Sequence, residues 1–572
     1  MSRSPSLSRV RSLFAGWALL SCLPAVLAAP IVRPSTDAGS TYRGPAAGVD
    51  WARPVASGDL DGDGYDELII SASKSWGGFT SRVYVIRGGP DADRRGIVDL
   101  SGVAADQVII GATVDDNLGA SIATGDVNGD GVDDLLLCAS NASSGALTNC
   151  GIAYLIYGGP DFFAQSTRPL SVASNWDLRI IGPESGADMG GSSLFGGLDA
   201  QAAAIGRLDA DAYGDIALGA HLANGGGSDS GRAYIVFGGP FPSGFTLDLG
   251  SGGFPLVRID GRATYDELGT VVRTGDITGD GIDELILGVQ YASRGLFTSD
   301  GAVYIFRGRA AWPALWRLNQ TPADMTLIGR RKNDELGASL AVADFTGDGI
   351  ADLASAAPGA EMGTLNDQRG DGFIYGLVGS TSYQTGTYSI DYGVVTPNFL
   401  LIGDFQENLG MLVTAGDFND DGIADIAAGE WFGEAASNGV VEVLYGRPFA
   451  PGATFNAGVN TDLRIVGAPN DRISFSLASA DTNGDGRDEV VFGTPFNNGD
   501  RGTVYVMTHI QGDADLDGDL DLRDVAAFQP CFAGAGAPPP GAGCTQFDFN
   551  LNSFVDAPDL LKLEAWMTGP GV

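Results

Sequence analysis

Short apolar runs alternate with segments rich in Gly, Ser, Asn and Asp along most of the chain. Examples are RVYVIRGG from Arg82, IAYLIYGG from Ile152 and RAYIVFGG from Arg232. These runs carry β-branched and aromatic residues and are bounded by turn residues, which is typical of strands. They are too short to express the period of an amphipathic helix. The pattern therefore predicts a mainly β protein.

An acidic nine-residue loop recurs seven times, each time just before an apolar strand. Such strands are predicted at 68–71, 135–138, 216–218 and 285–287 after the first four copies. The loops start 67, 81, 69, 68, 73 and 64 residues apart, a spacing that suits four-stranded propeller blades. The copies, numbered loops 1 to 7, read DLDGDGYDE from Asp59, DVNGDGVDD from Asp126, RLDADAYGD from Arg207, DITGDGIDE from Asp276, DFTGDGIAD from Asp344, DFNDDGIAD from Asp417 and DTNGDGRDE from Asp481.

The flanks of the loop repeat as well. A Leu-Gly pair precedes it, as in IIGATVDDNLGAS, and endings such as LGAH at 218–221 follow it. These features resemble the FG-GAP repeats of integrin α-chain propellers and of many secreted bacterial proteins. The resemblance covers residues 38–508 and implies a seven-bladed β-propeller. Repeat 1 departs from it with WARP at 51–54, and repeat 3 carries an insertion around 186–203.

The register of the repeats predicts how the ring closes. A glycine lies fifteen residues before the loops that begin at 126, 276 and 344, and Gly44 lies fifteen residues before Asp59. Residues 41–44 therefore occupy the place of a blade-ending strand, although no blade precedes them. Repeat 7 ends at 504–507 without its own outer strand, so 41–43 should pair with 504–507. Closure of this kind removes an open sheet edge.

The loops place oxygen ligands at positions 1, 3, 5 and 9 and a backbone carbonyl at position 7, with glycine at position 6 for the sharp turn. Convergent hard oxygens of this kind suit calcium, whereas magnesium prefers a stricter octahedron. The alternative is an acidic turn without metal. The predicted ligands are Asp59, Asp61, Asp63, Tyr65 and Glu67; Asp126, Asn128, Asp130, Val132 and Asp134; Asp276, Thr278, Asp280, Ile282 and Glu284; Asp344, Thr346, Asp348, Ile350 and Asp352; Asp417, Asn419, Asp421, Ile423 and Asp425; and Asp481, Asn483, Asp485, Arg487 and Glu489.

The seven loops are not equivalent. Thr278 and Thr346 stand at position 3 of loops 4 and 5, so we expect weaker binding there. Loop 3 has Arg207 at position 1 and alanine at position 6. An arginine that faces the carboxylates of this loop, which belong to Asp209, Asp211 and Asp215, would supply the cation itself. We therefore expect blade 3 to be free of metal.

A second, small α-helical module is predicted at residues 511–570. Two loop patterns, GDADLDGDLDLRD and FDFNLNSFVDAPD, lead into short apolar helices at 525–529 and 560–567. The duplication resembles the EF-hand-like dockerin, which in its family folds around calcium and docks onto cohesin domains. Leu522-Arg523 and Ala557-Pro558 depart from the family, so a cohesin-like partner and a stabilising or anchoring tail both remain open. The predicted ligands are Asp513, Asp515, Asp517, Asp519 and Asp524, then Asp548, Asn550, Asn552, Phe554, Asp556 and Asp559.

Composition and the N-terminal residues predict which partners the protein can have and whether it is exported. The formal charge is −38, which disfavours nucleic acid and anionic membranes as partners, and such an excess of carboxylate favours bound cations. Residues 1–28 have the basic start, apolar stretch and Val-Leu-Ala end of a cleaved signal peptide. A lipoprotein signal at Cys22 is the less favoured alternative, because apolar residues continue after it. No later segment is apolar for long enough to span a membrane.

Four cysteines follow the signal peptide, in two local pairs. Cys138 and Cys150 are 12 residues apart, and Cys531 and Cys544 are 13 residues apart. Export permits disulfides, and local pairing has the lowest closure cost of the three connectivities. The sequence thus favours the bridges Cys138–Cys150 and Cys531–Cys544, with a zinc site as the weaker alternative.

No sequence motif of a known catalytic site accompanies this organisation. The two histidines, His221 and His509, lie in different parts of the repeat pattern and have no evident catalytic partner. We therefore expect a secreted calcium-binding propeller that acts as a binding, adhesion or scaffold protein for an extracellular protein or polysaccharide. The alternative is a calcium-dependent propeller polysaccharide lyase or another carbohydrate-active enzyme. Aromatic residues in the loops opposite the acidic ones could contact such a ligand; they are Trp76, Phe79, Tyr291, Phe297, Trp431, Phe432 and Phe496.

Overall fold

The computed structural model describes residues 31–34, 38–45, 50–73, 77–92, 95–102, 104–191, 201–293, 299–361, 370–384, 388–392, 395–404, 407–430, 438–469, 471–495 and 501–507. The predicted signal peptide at 1–28, the predicted C-terminal module at 511–570 and the pair Cys531 and Cys544 lie outside these residues.

Strands dominate the described residues, as the short apolar runs predict. The first half contains β1 Ile31–Val32, β2 Ser40–Arg43, β3 Asp50–Gly58, β4 Glu67–Ser73, β5 Arg82–Ile86, β6 Gly96–Asp99, β7 Gln107–Ile110, β8 Leu118–Gly125, β9 Asp134–Ala139, β10 Ile152–Ile156, β11 Thr167–Pro169, β12 Leu178–Ile181, β13 Ala203–Gly206, β14 Asp215–Ala220, β15 Arg232–Val236, β16 Phe245–Asp248 and β17 Leu256–Asp260. The second half contains β18 Val271–Gly275, β19 Glu284–Val289, β20 Ala302–Phe306, β21 Leu315–Arg317, β22 Met325–Ile328, β23 Leu340–Ala343, β24 Asp352–Ala357, β25 Phe373–Leu377, β26 Tyr388–Asp391, β27 Phe399–Ile402, β28 Leu409–Gly416, β29 Asp425–Glu430, β30 Val440–Leu444, β31 Ala453–Asn456, β32 Leu463–Val466, β33 Ser476–Ala480, β34 Glu489–Thr494 and β35 Thr503–Met507. Short 3-10 helices lie at Phe162–Ala164, Ala173–Asn175, Thr381–Gln384 and Ile473–Phe475.

These strands form seven sheets within the described ranges, one for each predicted blade. Blade 1 has the order β3-β4-β5-β7-β11 from the inside outward, and blades 2 to 5 repeat it. The first four strands are antiparallel, and the fifth pairs in parallel, as β11 does with β7. The sequence predicts four strands in each blade, so the parallel fifth strand is an addition. It comes from the next repeat and covers the outer edge of the sheet.

The ring closes through the N-terminal segment, as the register of the repeats predicts. Strand β2 pairs antiparallel with β35, with Thr41 opposite Tyr505 and Tyr42 opposite Val504. The structure adds a second contribution, because β1 pairs in parallel with β32 and is the fifth strand of blade 6. The propeller therefore includes residues before the predicted boundary at 38.

The hydrophobic core lies between neighbouring blades. In blade 1, Ile69 packs with Leu135 and Leu137 of blade 2, whereas Ile70 faces Val504 of blade 7. Successive residues of a strand point to opposite faces of the sheet, so each central strand contributes to two interfaces. This explains why the central strands are continuously apolar instead of alternating.

The two described cysteines are free thiols, which corrects the predicted bridge between them. Cys138 and Cys150 are both buried and unbonded to each other. Cys138 lies opposite Ala153, three residues along the chain from Cys150. Cys150 lies before the first residue of β10, so it is not the residue that faces Cys138 across the ladder. Cys138 packs into the core between blades 2 and 3, and the Cys150 thiol lies 3.6 Å from the carbonyl oxygen of Ala142.

None of the described helices has the length and apolar character that crossing a bilayer requires.

Candidate metal-binding loops

The seven acidic loops lie on one face of the ring. Each connects the innermost strand of a blade to the second one: loop 1 joins β3 to β4, and loop 2 joins β8 to β9. Because the innermost strands of all blades run in the same direction, their loops emerge at the same end. The position-9 residue is the first residue of the second strand, so each strand begins earlier than its apolar run predicts.

The carboxylate at position 1 shapes the loop through backbone hydrogen bonds. Asp59 accepts the N–H groups of Gly62, Asp63 and Gly64 at 2.8, 3.1 and 3.0 Å. Gly62 and Gly64 have φ of 77° and 89°, a region that residues with a Cβ rarely adopt. The same three bonds recur at Asp126, Asp344 and Asp481, and two of them are formed at Asp276 and Asp417. Position 1 therefore organises the backbone of the loop.

The carboxylate at position 9 is buried and anchors the loop to its own blade. Glu67 is fully buried and accepts the Leu60 N–H at 2.7 Å, and Asp134 accepts Val127 and Gly158, both at 2.9 Å. Burial is the main cause that raises the pKa of Glu67 to about 8 and that of Asp134 to about 7. The position-9 carboxyls of loops 4, 5 and 6 have a pKa raised to about 8, 6 and 8 by the same cause.

Loop 1 has the oxygen arrangement that a hard cation needs. One ligand oxygen each from Asp59, Asp61 and Glu67 lie within 4.8 Å of one another. Asp61 is 8% exposed, and its buried Oδ1 has no hydrogen-bond partner. Its Oδ2 lies 3.5 Å from the guanidinium of Arg87. A buried, unsatisfied carboxylate oxygen is costly unless a cation compensates it, so these residues fit a bound calcium ion.

In loops 4 and 5, the threonine at position 3 already forms contacts within the loop. The Thr278 hydroxyl lies 3.3 Å from Glu284 Oε1 and 3.5 Å from Asp276 Oδ1. The Thr346 hydroxyl lies 3.4 Å from Asp344 Oδ1. A neutral hydroxyl replaces a carboxylate or amide oxygen at these positions, and the weaker binding expected there stays a prediction.

Loop 3 differs from the other loops in its backbone and in the role of its arginine. Neither Ala210 nor Ala212 has a positive φ, unlike the residues at positions 4 and 6 of the other six loops. Asp209, Asp211 and Asp215 each place one oxygen within 4.8 Å of the others. The Arg207 guanidinium donates to the backbone carbonyl of Asp211 at 3.2 and 3.3 Å. This corrects the expectation that Arg207 pairs with the carboxylates, because it binds a carbonyl oxygen of the loop instead.

A continuous ring of backbone hydrogen bonds joins neighbouring loops. The N–H of position 8 in each blade donates to the carbonyl oxygen of position 1 in the preceding blade. The seven bonds are Asp133 to Asp59, Gly214 to Asp126, Asp283 to Arg207, Ala351 to Asp276, Ala424 to Asp344, Asp488 to Asp417 and Asp66 to Asp481, at 2.8 to 3.2 Å. Sequence reasoning missed this coupling, because a backbone bond needs no particular side chain.

Aspartate at position 8 strengthens several of these junctions. The N–H groups of Arg207 and Asp417 donate back to the carboxylates of Asp283 and Asp488, each at 2.8 Å. Through these reciprocal hydrogen bonds, the residue at position 8 joins its loop to the preceding one. The recurrent aspartate at position 8 is the sequence signal that could have revealed this junction.

The other predicted functional residues have different positions. His221 is buried, with its Nε2 4.0 Å from Asp188 Oδ2. Phe79 is partly buried against the core between blades 7 and 1, and Tyr291 is partly buried. The remaining loop aromatics and His509 lie outside the described residues, as do the predicted ligands of the C-terminal module; the aromatics are Trp76, Phe297, Trp431, Phe432 and Phe496.

Sequence comparison identifies the repeat. The family model described as FG-GAP repeat matches residues 55–86, 118–152, 268–306, 336–377 and 475–507, which lie in blades 1, 2, 4, 5 and 7. Phosphatidylinositol-glycan-specific phospholipase D from Homo sapiens is 31% identical over 190 residues, which is 32% of this chain and 21% of that protein. The enzyme of the same name from Rattus norvegicus is 29% identical over 228 residues, which is 39% of this chain and 24% of that protein.

Integrin α chains are also related. Integrin alpha-PS2 of Drosophila melanogaster is 25% identical over 214 residues, which is 37% of this chain and 14% of the integrin. The chain thus spans about a quarter or less of the curated relatives it matches. A rhamnogalacturonan lyase from Bacillus licheniformis aligns with a TM-score of 0.37 and 13% identity, over 86% of this chain and 77% of the lyase. The described part of this chain is therefore a seven-bladed β-propeller that contains FG-GAP repeats and has relatives among the integrin α chains.

Proposed function

We propose that this chain is a secreted calcium-binding propeller that binds an extracellular protein or glycan. The observation that carries the proposal is the convergence of the Asp59, Asp61 and Glu67 oxygens in loop 1, where Asp61 Oδ1 is buried without a hydrogen-bond partner. Loops 2, 4, 5, 6 and 7 repeat its sequence pattern on the same face. Calcium is the preferred ion, because it accepts a flexible set of carboxylate and carbonyl oxygens.

Calcium bound in these loops would rigidify one face of the ring. Each loop is hydrogen-bonded to both neighbouring blades through its positions 1 and 8. An ion that fixes one loop would therefore also restrain the two junctions beside it. Binding and adhesion favour such rigidity, because a preorganised surface loses less conformational entropy when it meets its partner.

The proposed setting is extracellular. The predicted signal peptide at 1–28 supports export, and the predicted dockerin-like module at 511–570 supports attachment to a cohesin-like domain or to a surface. These sequence features are independent of the propeller loops, so each can be tested without the others. Similarity to integrin α chains supports the binding role, and the relatives named phospholipase D keep an enzyme as the alternative.

The direct test is to probe arrays of glycans and extracellular matrix proteins with the calcium-loaded mature protein. We expect retention of specific spots in calcium and loss of those spots in a chelator. Asp126→Ala, which removes a position-1 ligand, should weaken retention, and Arg207→Ala in loop 3 is the matched control that should not. Absence of binding to every spot would contradict the proposal. Release of unsaturated sugars from polysaccharides would favour the lyase alternative.

A further inference from the structure

Blade 6 departs from the other blades at two buried strand positions. The sixth residue of its second strand is Glu430, where blades 1, 2, 3 and 5 have alanine and blades 4 and 7 have valine and threonine. The middle residue of its third strand is Glu442, where all six other blades have tyrosine. Both glutamates are fully buried. Equivalent positions can be compared across the seven blades, and only blade 6 has carboxylates at these two positions.

These glutamates join two further carboxylates around a single arginine. Arg464, which is 6% exposed, lies opposite Glu442 in the strand ladder. Its Nη1 donates to Glu442 Oε1 at 2.5 Å and to Asp404 Oδ2 at 3.2 Å. Its Nη2 lies farther away, at 3.8 Å, from both Glu407 Oε2 and Glu430 Oε2. The guanidinium thus forms its hydrogen bonds with Glu442 and Asp404 and only a long contact with Glu430.

One buried oxygen of this cluster remains unsatisfied. Glu430 Oε1 accepts the Asp404 N–H at 3.3 Å, but its buried Oε2 has no hydrogen-bond partner. One ligand oxygen each from Asp404, Glu407 and Glu430 lie within 4.8 Å of one another. Four carboxylates therefore surround one guanidinium. Burying unpaired like charges is costly, so this cluster needs another cation or a proton.

We propose that a divalent cation with a preference for oxygen ligands binds between blades 5 and 6, at Asp404, Glu407 and Glu430. Asp404 follows β27 of blade 5, Glu407 precedes β28, and Glu430 ends β29 of blade 6. Loop 6 lies at the other end of β29, so the site is on the face opposite the acidic loops. It is therefore separate from the FG-GAP loops and does not depend on the function proposed for them.

The hydrogen bonds around the site leave Glu430 as the carboxylate that a cation would satisfy. The Thr461 hydroxyl donates to Glu442 Oε2 at 2.6 Å, so Glu442 is already satisfied by Thr461 and Arg464. The Asp404 side chain is 44% exposed and gives the site a route to solvent. A small cation can enter there and satisfy the free oxygen of Glu430.

The test uses crystals of the full chain soaked in Mn²⁺, with anomalous differences measured at the manganese edge. We expect a peak that contacts Asp404, Glu407 and Glu430. The peak should disappear in Glu430→Gln, which keeps the volume of the side chain and removes its charge. Glu430→Ala restores the residue of four other blades and should fold even if the glutamine variant does not.

A matched control separates this site from a general loss of negative charge. Glu184 pairs with Arg232 at 2.7 Å in another part of the ring, so Glu184→Gln should leave the blade-6 peak unchanged. Native mass spectrometry in calcium should also count one ion fewer in Glu430→Gln than in the wild-type protein. An absent peak in wild-type crystals, together with equal ion counts in the two proteins, would overturn the proposal. The carboxyl groups of Glu407 and Glu430 would then share a proton instead.

Discussion

Loops 2 and 3 follow each other around the ring, yet they differ at the residue that organises the loop. Asp126 gathers three backbone N–H groups of loop 2, whereas Arg207 donates its guanidinium to a carbonyl of loop 3. In both loops, the side chain at position 3 nevertheless accepts the N–H of position 5, and the side chain at position 5 accepts the N–H of position 7. The carboxylate at position 9 accepts the N–H of position 2 in both loops. The scaffold of the loop thus survives without position 1.

The difference separates two tasks of the acidic loop. Positions 3, 5, 8 and 9 hold the chain in place and join the blades, and loop 3 retains most of these contacts. Position 1, with the glycine-type backbone at positions 4 and 6, closes the loop through backbone hydrogen bonds. Loop 3 thus shows that the first set of contacts forms without the second set, on which the proposed calcium binding would depend.

The largest expected effect follows removal of calcium from the six loops that we expect to bind it. A ligand that occupies a site at a hundred times its Kd stabilises the folded state by about 2.7 kcal/mol. Chelation of several loops should therefore lower the melting temperature by at least about 10 °C. Differential scanning calorimetry with and without EDTA measures this shift. An unchanged melting temperature would mean that the loops bind no calcium.

The pH dependence of the metal-free protein should be large as well. In the folded state the position-9 carboxyls have a pKa raised to about 8 at Glu67 and Asp425 and to about 7 at Asp134. Unfolded carboxyls titrate near ~4, so the folded state binds more protons between pH ~4 and ~8. The free energy of unfolding in EDTA should therefore fall as the pH rises through this range.

Calcium should weaken or reverse that trend, because it binds the deprotonated carboxylates. Chemical denaturation at several pH values, in EDTA and in calcium, gives both profiles. A metal-free profile that is flat between pH 5 and 8 would contradict the assignment of buried, protonated carboxyls.

Removal of a single position-1 side chain should have a smaller effect. Asp126→Ala should remove one ion and lower the unfolding free energy in calcium by about 3 kcal/mol. Arg207→Ala changes the same position in loop 3 and should not alter the ion count. Isothermal titration calorimetry of both variants gives the comparison. Equal stoichiometries would remove the distinction between the two loops.

The smallest expected effect is the conversion of loop 3 into a loop of the loop 2 type. Arg207→Asp supplies the carboxylate, but Ala210 and Ala212 disfavour the left-handed backbone that the other loops adopt. The combined variant with Ala210→Gly and Ala212→Gly should therefore add one weakly bound ion, and Arg207→Asp alone should add less. Failure of the combined variant to bind an additional ion would show that further residues are needed.

The sequence predicts much of this architecture because its repeats carry position-specific side chains. The loops, the seven blades and the pairing of 41–43 with 504–507 all follow from aligned residues. The parallel fifth strands were missed because segments such as Thr167–Pro169 are short, contain no buried residue and lack an apolar pattern. The Cys138–Cys150 bridge was wrong because proximity in sequence does not fix the register of a hairpin.

The candidate sites were likewise predicted only in part from the sequence. The ligand positions in the loops could be predicted from their spacing in the sequence. The ring of backbone hydrogen bonds between neighbouring loops could be recognised only in the folded structure. The carboxylates of blade 6 had a signal that an alignment of the repeats exposes, namely Glu442 in place of tyrosine. Their convergence with Asp404 and Arg464 depends on the junction between two blades, which sequence spacing does not reveal.

The most direct test of the central claim is the anomalous signal of calcium in crystals of the full chain, measured loop by loop. We predict strong peaks in the loops that begin at Asp59, Asp126, Asp417 and Asp481, and weaker peaks in the loops at Asp276 and Asp344. Loop 3, at Arg207, should have none. A calcium peak in loop 3, or empty loops at Asp59 and Asp126, would contradict the account.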